Sequence, residues 1–397
     1  MRRLMVFSIL TSMAVLVFSS PTIAKDPIVV GFPMILSGGG AVFGKPSAEG
    51  AKMLVKEVND AGGVLGRKIK LLVRDCKGSP DEATRVAKEM INRDNIDFLV
   101  GGLTSSQGLA LAEVSKQEKI LYIAPISKVA TMCEPPRLHK YVFRAACNSK
   151  TEGRSGAVLM AKNEKWKRIA TIGPDYSYGH SVTGAFIPLL KKLRPDVEIV
   201  HQAWPKLGES DYMPFINVVM ASKPDAVFGT LWGGHFINFA KQASPVGFFE
   251  KIGFVSAGEA GCLEAVKGAG DDMPAGIISN AYDCFYYPDT PWHNDWIKRL
   301  GEFTGEKKYP TSWAGTGYDA MKFLVEAIKK AGSTDTDNVI KALEGLTIDS
   351  SVGKLNMRAK DHQAARGQYW GTLTKVPEFP FLILKPVEYI KAEELME

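Results

Sequence analysis

Ile28-Val29-Val30-Gly31-Phe32, followed by Leu36-Ser37-Gly38-Gly39-Gly40-Ala41-Val42-Phe43-Gly44-Lys45-Pro46 and then by Ala51, Leu54, Val55 and Val58 at helical spacing, decides the architecture. The β-branched run reads as a strand, the glycines as a loop, and the periodic apolar positions as an amphipathic helix starting near Pro46. Ala61-Gly62-Gly63 stops that helix, and residues 69–73 form a second strand. Ser79-Pro80-Asp81-Glu82 then carries Ser at the N-cap, Pro at N1 and Glu at N3, the signature of a capping box. Strand patterns recur at 96–100, 120–124, 168–172, 197–200, 226–228 and 253–255, with helical patterns between them. Strands repeating in this way imply right-handed βαβ crossovers, hence an α/β fold with doubly wound parallel sheets, one per domain. Breaks in the pattern fall near 144–148 and near 279–283; beyond them come helices at 317–330 and 336–346 and a strand-rich tail from Lys354.

The full chain has 397 residues, 45% hydrophobic and 23% charged, which suits two or three domains with real cores. Its formal charge of +6 is small for that length, and no Lys/Arg run is dense enough to track phosphates, which argues against nucleic acid as a partner. Arg2 and Arg3 precede an uncharged apolar run over 4–18, too short to span a bilayer, and Thr22-Ile23-Ala24 offers a small-residue cleavage site. Residues 1–24 therefore read as a signal peptide, and the mature protein is expected in the periplasm. In that oxidising space Cys76, Cys133, Cys147, Cys262 and Cys284 permit at most two disulfides, with no pairing fixed by their spacing.

In open parallel sheets, ligands bind beyond the carboxyl ends of the strands, so the loops that follow strands carry the functional reading. The first loop nearly matches a P-loop over 39–45, but Pro46 stands where a Mg²⁺-coordinating hydroxyl is required. It reads more plainly as a flexible turn with Phe43 as its one bulky contact. Gly101-Gly102-Leu103-Thr104-Ser105-Ser106-Gln107 sets hydroxyls at a helix start, where they could hold a carboxylate or simply cap the helix. Ala124-Pro125-Ile126-Ser127-Lys128 adds a hydroxyl and a cation. The loops at 173–180, 230–234 and 257–261 bring Tyr176, Tyr178, Trp232 and Glu259, and the ring-rich segment 282–287 reads as a domain crossing with a packing role. There is no Gly-x-Ser-x-Gly elbow and no HExxH, so neither a catalytic set nor a metal site nor a cofactor is expected.

These residues resemble the exported solute-binding proteins of ABC importers, of the leucine/isoleucine/valine-binding type. The resemblance rests on Ile28-Val29-Val30-Gly31, Leu36-Ser37-Gly38, Phe43-Gly44, Val58-Asn59-Asp60-Ala61-Gly62-Gly63-Val64-Leu65-Gly66-Arg67-Lys68-Ile69, the loop 101–106, Asp175-Tyr176-Ser177-Tyr178-Gly179 and Glu259. It implies a type I periplasmic binding protein: two lobes joined by a three-crossing hinge, with the ligand between them and no catalysis. The lobes would be 25–144 with about 283–352, and about 145–282 with about 353–397. The implied partners are a small-molecule ligand, an amino acid or related carboxylate, and an ABC permease in the inner membrane, the protein itself acting as a monomer.

By the same resemblance Ser105 would bind the ligand carboxylate, aided by the backbone at Ile126 and by Ser127; Glu259 would take an α-ammonium group; and Phe43, Tyr178 and Trp232 would line the side-chain pocket. Two positions depart from the family pattern. Thr104 stands where relatives carry a disulfide cysteine, with Cys76 off its partner's place, so that bridge is not expected. Lys128 stands where relatives place a small hydroxyl residue. A buried cation there needs a partner, such as a second ligand carboxylate, unless its stem carries it to the rim. An amino acid is the first expectation for the ligand, and an aromatic acid or amide, or a sensor handing ligand to a receptor, is the alternative.

Overall fold

A computed structural model describes residues 26–311 and 313–396; the segment 1–24, which the sequence reads as a signal peptide, lies outside the described residues. The first sheet is built from β1 (Ile28–Met34), β2 (Ile69–Asp75), β3 (Phe98–Val100), β4 (Tyr122–Ala124) and β5 (Val142–Arg144), all parallel, with α1 (Ala41–Asp60), α2 (Pro80–Asp94) and α3 (Ser105–Glu118) between them. Its order is β2-β1-β3-β4-β5, so the winding reverses between β1 and β3. The second sheet follows α4 (Ser149–Ala161) and uses β6 (Arg168–Ile172), β7 (Glu198–Ala203), β8 (Ala226–Gly229), β9 (Gly253–Ser256) and β10 (Ile278–Ala281). Here α5 (Ser177–Leu193), α6 (Met213–Ala221), α7 (Gly233–Ala243), α8 (Phe248–Lys251) and α9 (Leu263–Ala269) fill the connections. The chain then returns to the first unit with α10 (Pro291–Thr304), α11 (Ala314–Ala331), α12 (Thr336–Leu343) and the hairpin β11 (Thr347–Ser350) and β12 (Gly353–Asn356). Finally β13 (Gln368–Thr374) and β14 (Ile383–Ile390) close the second sheet antiparallel, giving the order β14-β13-β10-β9-β8-β6-β7. No helix among the described residues is long and apolar enough to cross a membrane.

We take each sheet with the helices packed on it as one lobe. The chain passes between them three times, at 145–148, 282–290 and 357–367, and each crossing is pinned by a buried polar group. Arg144 Nη1 donates to the Val129 carbonyl at 2.6 Å while its Nε bonds the Gln363 side chain. Asp283 accepts from Trp296 Nε1 at 3.1 Å and pairs with His293 Nε2 at 3.0 Å. Arg366 Nη1 meets Asp319 Oδ2 at 2.6 Å, and Asp319 also receives the Ser351 N–H and hydroxyl.

Local structure departs from the sequence reading at instructive places. The helix expected from Pro46 begins five residues earlier, at Ala41, with Pro46 inside it, so Phe43 sits on the first turn of α1 rather than in a flexible loop. Ser79 caps α2 as expected, accepting from the Glu82 N–H at 3.4 Å, but the Glu82 carboxylate turns to Arg85 instead of completing the box. All five cysteines are free and buried, so neither of the disulfides that export permits is formed.

α1 and α11 cross at glycines. A Cβ on Gly50 would lie 1.8 Å from the Ala314 carbonyl oxygen, and one on Gly317 would lie 1.9 Å from that of Ser47. Neither backbone can retreat without moving a helix. Gly317→Ala should therefore destabilise the protein by about 1–3 kcal/mol, read as a lowered urea midpoint with secondary structure retained; an unchanged midpoint would contradict the close crossing.

Candidate functional site

Both points where the winding reverses face the same space. After β1 comes the first turn of α1 with Phe43; after β3 and β4 come Ser105 at the start of α3 and the loop with Ile126 and Lys128; after β6, β8 and β9 come Tyr178 on the first turn of α5, Trp232 at the N-cap of α7 and Glu259 in its loop. Between them lies a narrow cavity of ≈ 30 Å³, walled on the first lobe by Phe43, Leu103, Ser105, Ile126 and Lys128 and on the second by Tyr176, Tyr178, Trp232 and Glu259, with Trp313 from the start of α11. The lobes touch across it: a Cβ on Gly233 would lie 3.2 Å from the Phe43 ring, and the Phe43 and Trp232 ring centroids are 6.1 Å apart. Phe43 also stacks on Trp313 at 4.0 Å.

On the first lobe, Thr104 caps α3. Its Oγ1 accepts from the Gln107 N–H at 3.3 Å and Gln107 Oε1 accepts from the Thr104 N–H at 3.2 Å, a full capping box. That leaves Ser105 free of the capping duty, and the first-turn N–H groups of Ser105 and Ser106 have no partner within the helix. Ser105 Oγ accepts from the Val129 N–H at 3.1 Å, so its own hydrogen can be donated into the cavity. Ser127 does not line the cavity. It is fully buried and its hydroxyl donates to the Thr104 carbonyl at 2.9 Å, bracing one loop against the other.

The electrostatic centre is Lys128. It is only 5% exposed, and rather than reaching the rim it crosses to the second lobe, where Nζ pairs with Glu152 of α4 at 2.5 Å and with Glu259. The rings of Tyr282, Trp313 and Tyr178 surround the ammonium at 4.6, 5.7 and 5.9 Å. Glu152 Oε1 also accepts from Gln368 Nε2 at 3.0 Å. Glu259 is held in the left-handed region at φ 61°, its N–H donated to Asn280 Oδ1 at 2.8 Å; such strain in a non-glycine residue persists only where the surroundings impose it. Tyr178 OH donates to the Ala257 carbonyl at 3.2 Å in the same loop.

Burial alone would lower the Lys128 pKa, but the two carboxylates outweigh it and hold the ammonium charged. Burial raises both carboxyls, Glu259 to about 8, with the neighbouring Glu152 adding to the rise. One cation facing two buried carboxylates keeps a proton in the cluster. Sequence reasoning missed Glu152 and Trp313 as neighbours of the site; Tyr176 and Leu103 lie in the strand-end loops it singles out, without a role assigned to them. The one available signal was Lys128 itself, since a cation in a strand-end loop requires a carboxylate somewhere.

Two α/β lobes with a cavity between their strand ends define a cleft-binding protein. Residues 27–375 match the family model described as periplasmic binding protein, and the chain belongs to that family. It is 26% identical over 355 residues to the Leu/Ile/Val-binding protein BraC3 of Rhizobium johnstonii, covering 88% of this chain and 93% of the relative. It is 24% identical over 355 residues to the leucine-, isoleucine-, valine-, threonine- and alanine-binding protein of Pseudomonas aeruginosa, covering 88% and 90%. A solute-binding protein of an ABC transporter from Rhodopseudomonas palustris BisB5, solved with 3,4-dihydroxybenzoic acid, superposes with a TM-score of 0.82 at 24% identity, covering 91% of this chain and 97% of that one. The fold is that of type I periplasmic binding proteins, as the resemblance implied.

The cluster makes stability depend on pH. A carboxyl whose pKa is raised on folding favours the folded state below its ordinary value near 4.5, and that advantage is lost as pH rises through about 8. Thermal unfolding should show the melting temperature falling across this window, and less steeply in Glu259→Gln. Parallel slopes in the two proteins would contradict the assignment.

Proposed function

We propose that the protein is exported to the periplasm, captures a small carboxylate-bearing solute between its lobes, and presents the closed form to an ABC permease of the inner membrane. It acts as a monomer and catalyses no reaction. The observation that carries this reading is the start of α3 at the cavity wall: the capping box frees the Ser105 hydroxyl and leaves first-turn N–H groups for an anion, opposite rings and a carboxylate from the second lobe. Hinge closure around ligand is established behaviour for periplasmic binding proteins, and it requires the ligand to favour the closed state through contacts to both lobes.

Two ligand chemistries compete for the cleft. The amino acids bound by the curated relatives are supported by the presence of a carboxylate, Glu259, on the wall. Aromatic acids, one of which is bound by the superposed structure, are supported by five rings around a small cavity: Phe43, Tyr176, Tyr178, Trp232 and Trp313. They differ in the demand they make on Glu259.

A thermal-shift screen of amino acids, aromatic acids and amides should raise the melting temperature only for carboxylates, and Ser105→Ala should weaken the best of them by about 1–3 kcal/mol in calorimetry. Because the same substitution leaves the Val129 N–H without its acceptor, the ligand-free melting temperature should fall too. An amide bound as tightly as its acid, or unchanged affinity in Ser105→Ala, would overturn the carboxylate reading.

A further inference from the structure

Glu259 presents a buried carboxylate to the cavity, and such a group calls for a cation. In a cleft that takes amino acids, the ligand's ammonium would supply it. Here the protein supplies its own. Lys128 Nζ, carried on the first lobe, already pairs with Glu259 and with Glu152 behind it; Glu152 Oε1 also accepts from Gln368 Nε2, while its buried Oε2 has no hydrogen bond. The ammonium is caged by three rings, Tyr282, Trp313 and Tyr178, two of which also wall the cavity. It is 5% exposed, so water does not screen it from whatever enters the cleft.

We infer that Lys128 is a specificity-determining residue which occupies the place of a ligand ammonium, so that the cleft selects carboxylates with a flat, ring-bearing body and no ammonium and rejects zwitterionic amino acids. The inference deepens the proposal that the cleft holds a carboxylate and rests on it. An entering ammonium would find Lys128 already seated against one oxygen of each carboxylate and would face it as a like charge at close range. Displacing Lys128 would strip the cation from its ring cage and leave it without a partner in the first lobe, whose loop at 124–128 holds it by the Ser149 N–H donated to the Lys128 carbonyl at 2.8 Å. The rest of the wall agrees with an ammonium-free ring. The Trp232 indole Nε1 is buried with no hydrogen bond of good geometry, although the Tyr176 hydroxyl lies near it, and a ring hydroxyl or carbonyl oxygen on the ligand would accept from it. Selection here works by an introduced repulsion as much as by a new attraction.

The test uses ligand pairs that differ only in the ammonium: 3-phenylpropanoate against L-phenylalanine, and 4-methylpentanoate against L-leucine, with benzoate alongside, by calorimetry on the full mature chain. The wild type should bind the ammonium-free member of each pair at least about tenfold more tightly. In Lys128→Met, which frees Glu259, that preference should shrink or reverse. Wild-type protein that prefers phenylalanine or leucine overturns the inference while leaving the carboxylate proposal standing. Absence of binding to every acid in the panel overturns both. Should Lys128→Met fail to fold, the wild-type ratios decide the matter without it.

Discussion

Lys128 is a cation from one lobe buried against two carboxylates of the other, and the closed cleft is organised around satisfying it. Taking an ion pair out of water is costly, and stripping one partner from such a pair typically costs about 3–5 kcal/mol, so the three groups hold one another in place. Their positions follow from the topology. The Lys128 loop leaves β4 and the Glu259 loop leaves β9, both at carboxyl ends of parallel strands, while Glu152 lies on the first helix after the chain crosses between the sheets. Bringing the three together therefore brings the lobes together. The ring cage of Tyr178, Tyr282 and Trp313 draws on both lobes and on the crossing segment, which ties packing to the same charge.

Much of this fold was legible in the sequence because parallel strands buried on both faces read as short continuous apolar runs, and because caps and glycines mark helix ends chemically. β1, β2, β4, β6 and β9 lie where the apolar runs fall. β5 and β10 do not stand out as strands because each is only three or four residues long and runs straight into a crossing segment, where the pattern breaks near 144–148 and 279–283. The true start of α1 is masked because Gly38-Gly39-Gly40 and Pro46 both signal a loop, yet Pro46 is close enough to the helix start for the remaining turns to tolerate it.

The site was legible one residue at a time and not as an arrangement. Phe43, Ser105, Ile126, Tyr178, Trp232 and Glu259 stand just beyond strand ends, in loops or on the first turn of the following helix, where open sheets place ligands, and all of them wall the cavity. Ser127 shares that loop position but faces inward, since its hydroxyl is needed by the Thr104 carbonyl. What no local pattern revealed is which charges meet. Glu152 sits in the first turn of α4, where an acidic residue reads as a helix-start preference, and its contact with Lys128 exists only once the sheets face each other. Buried polar anchors at two of the crossings, around Arg144 and Arg366, were equally hidden, because each joins residues far apart in the chain.

A crystal structure of the complex with an aromatic carboxylate would test the central claim most directly. The ligand carboxylate should lie within hydrogen-bond distance of the Ser105 hydroxyl, with Lys128 Nζ still seated between Glu152 and Glu259. A structure in which Lys128 has swung out of the cleft and a ligand cation rests on Glu259 would contradict it.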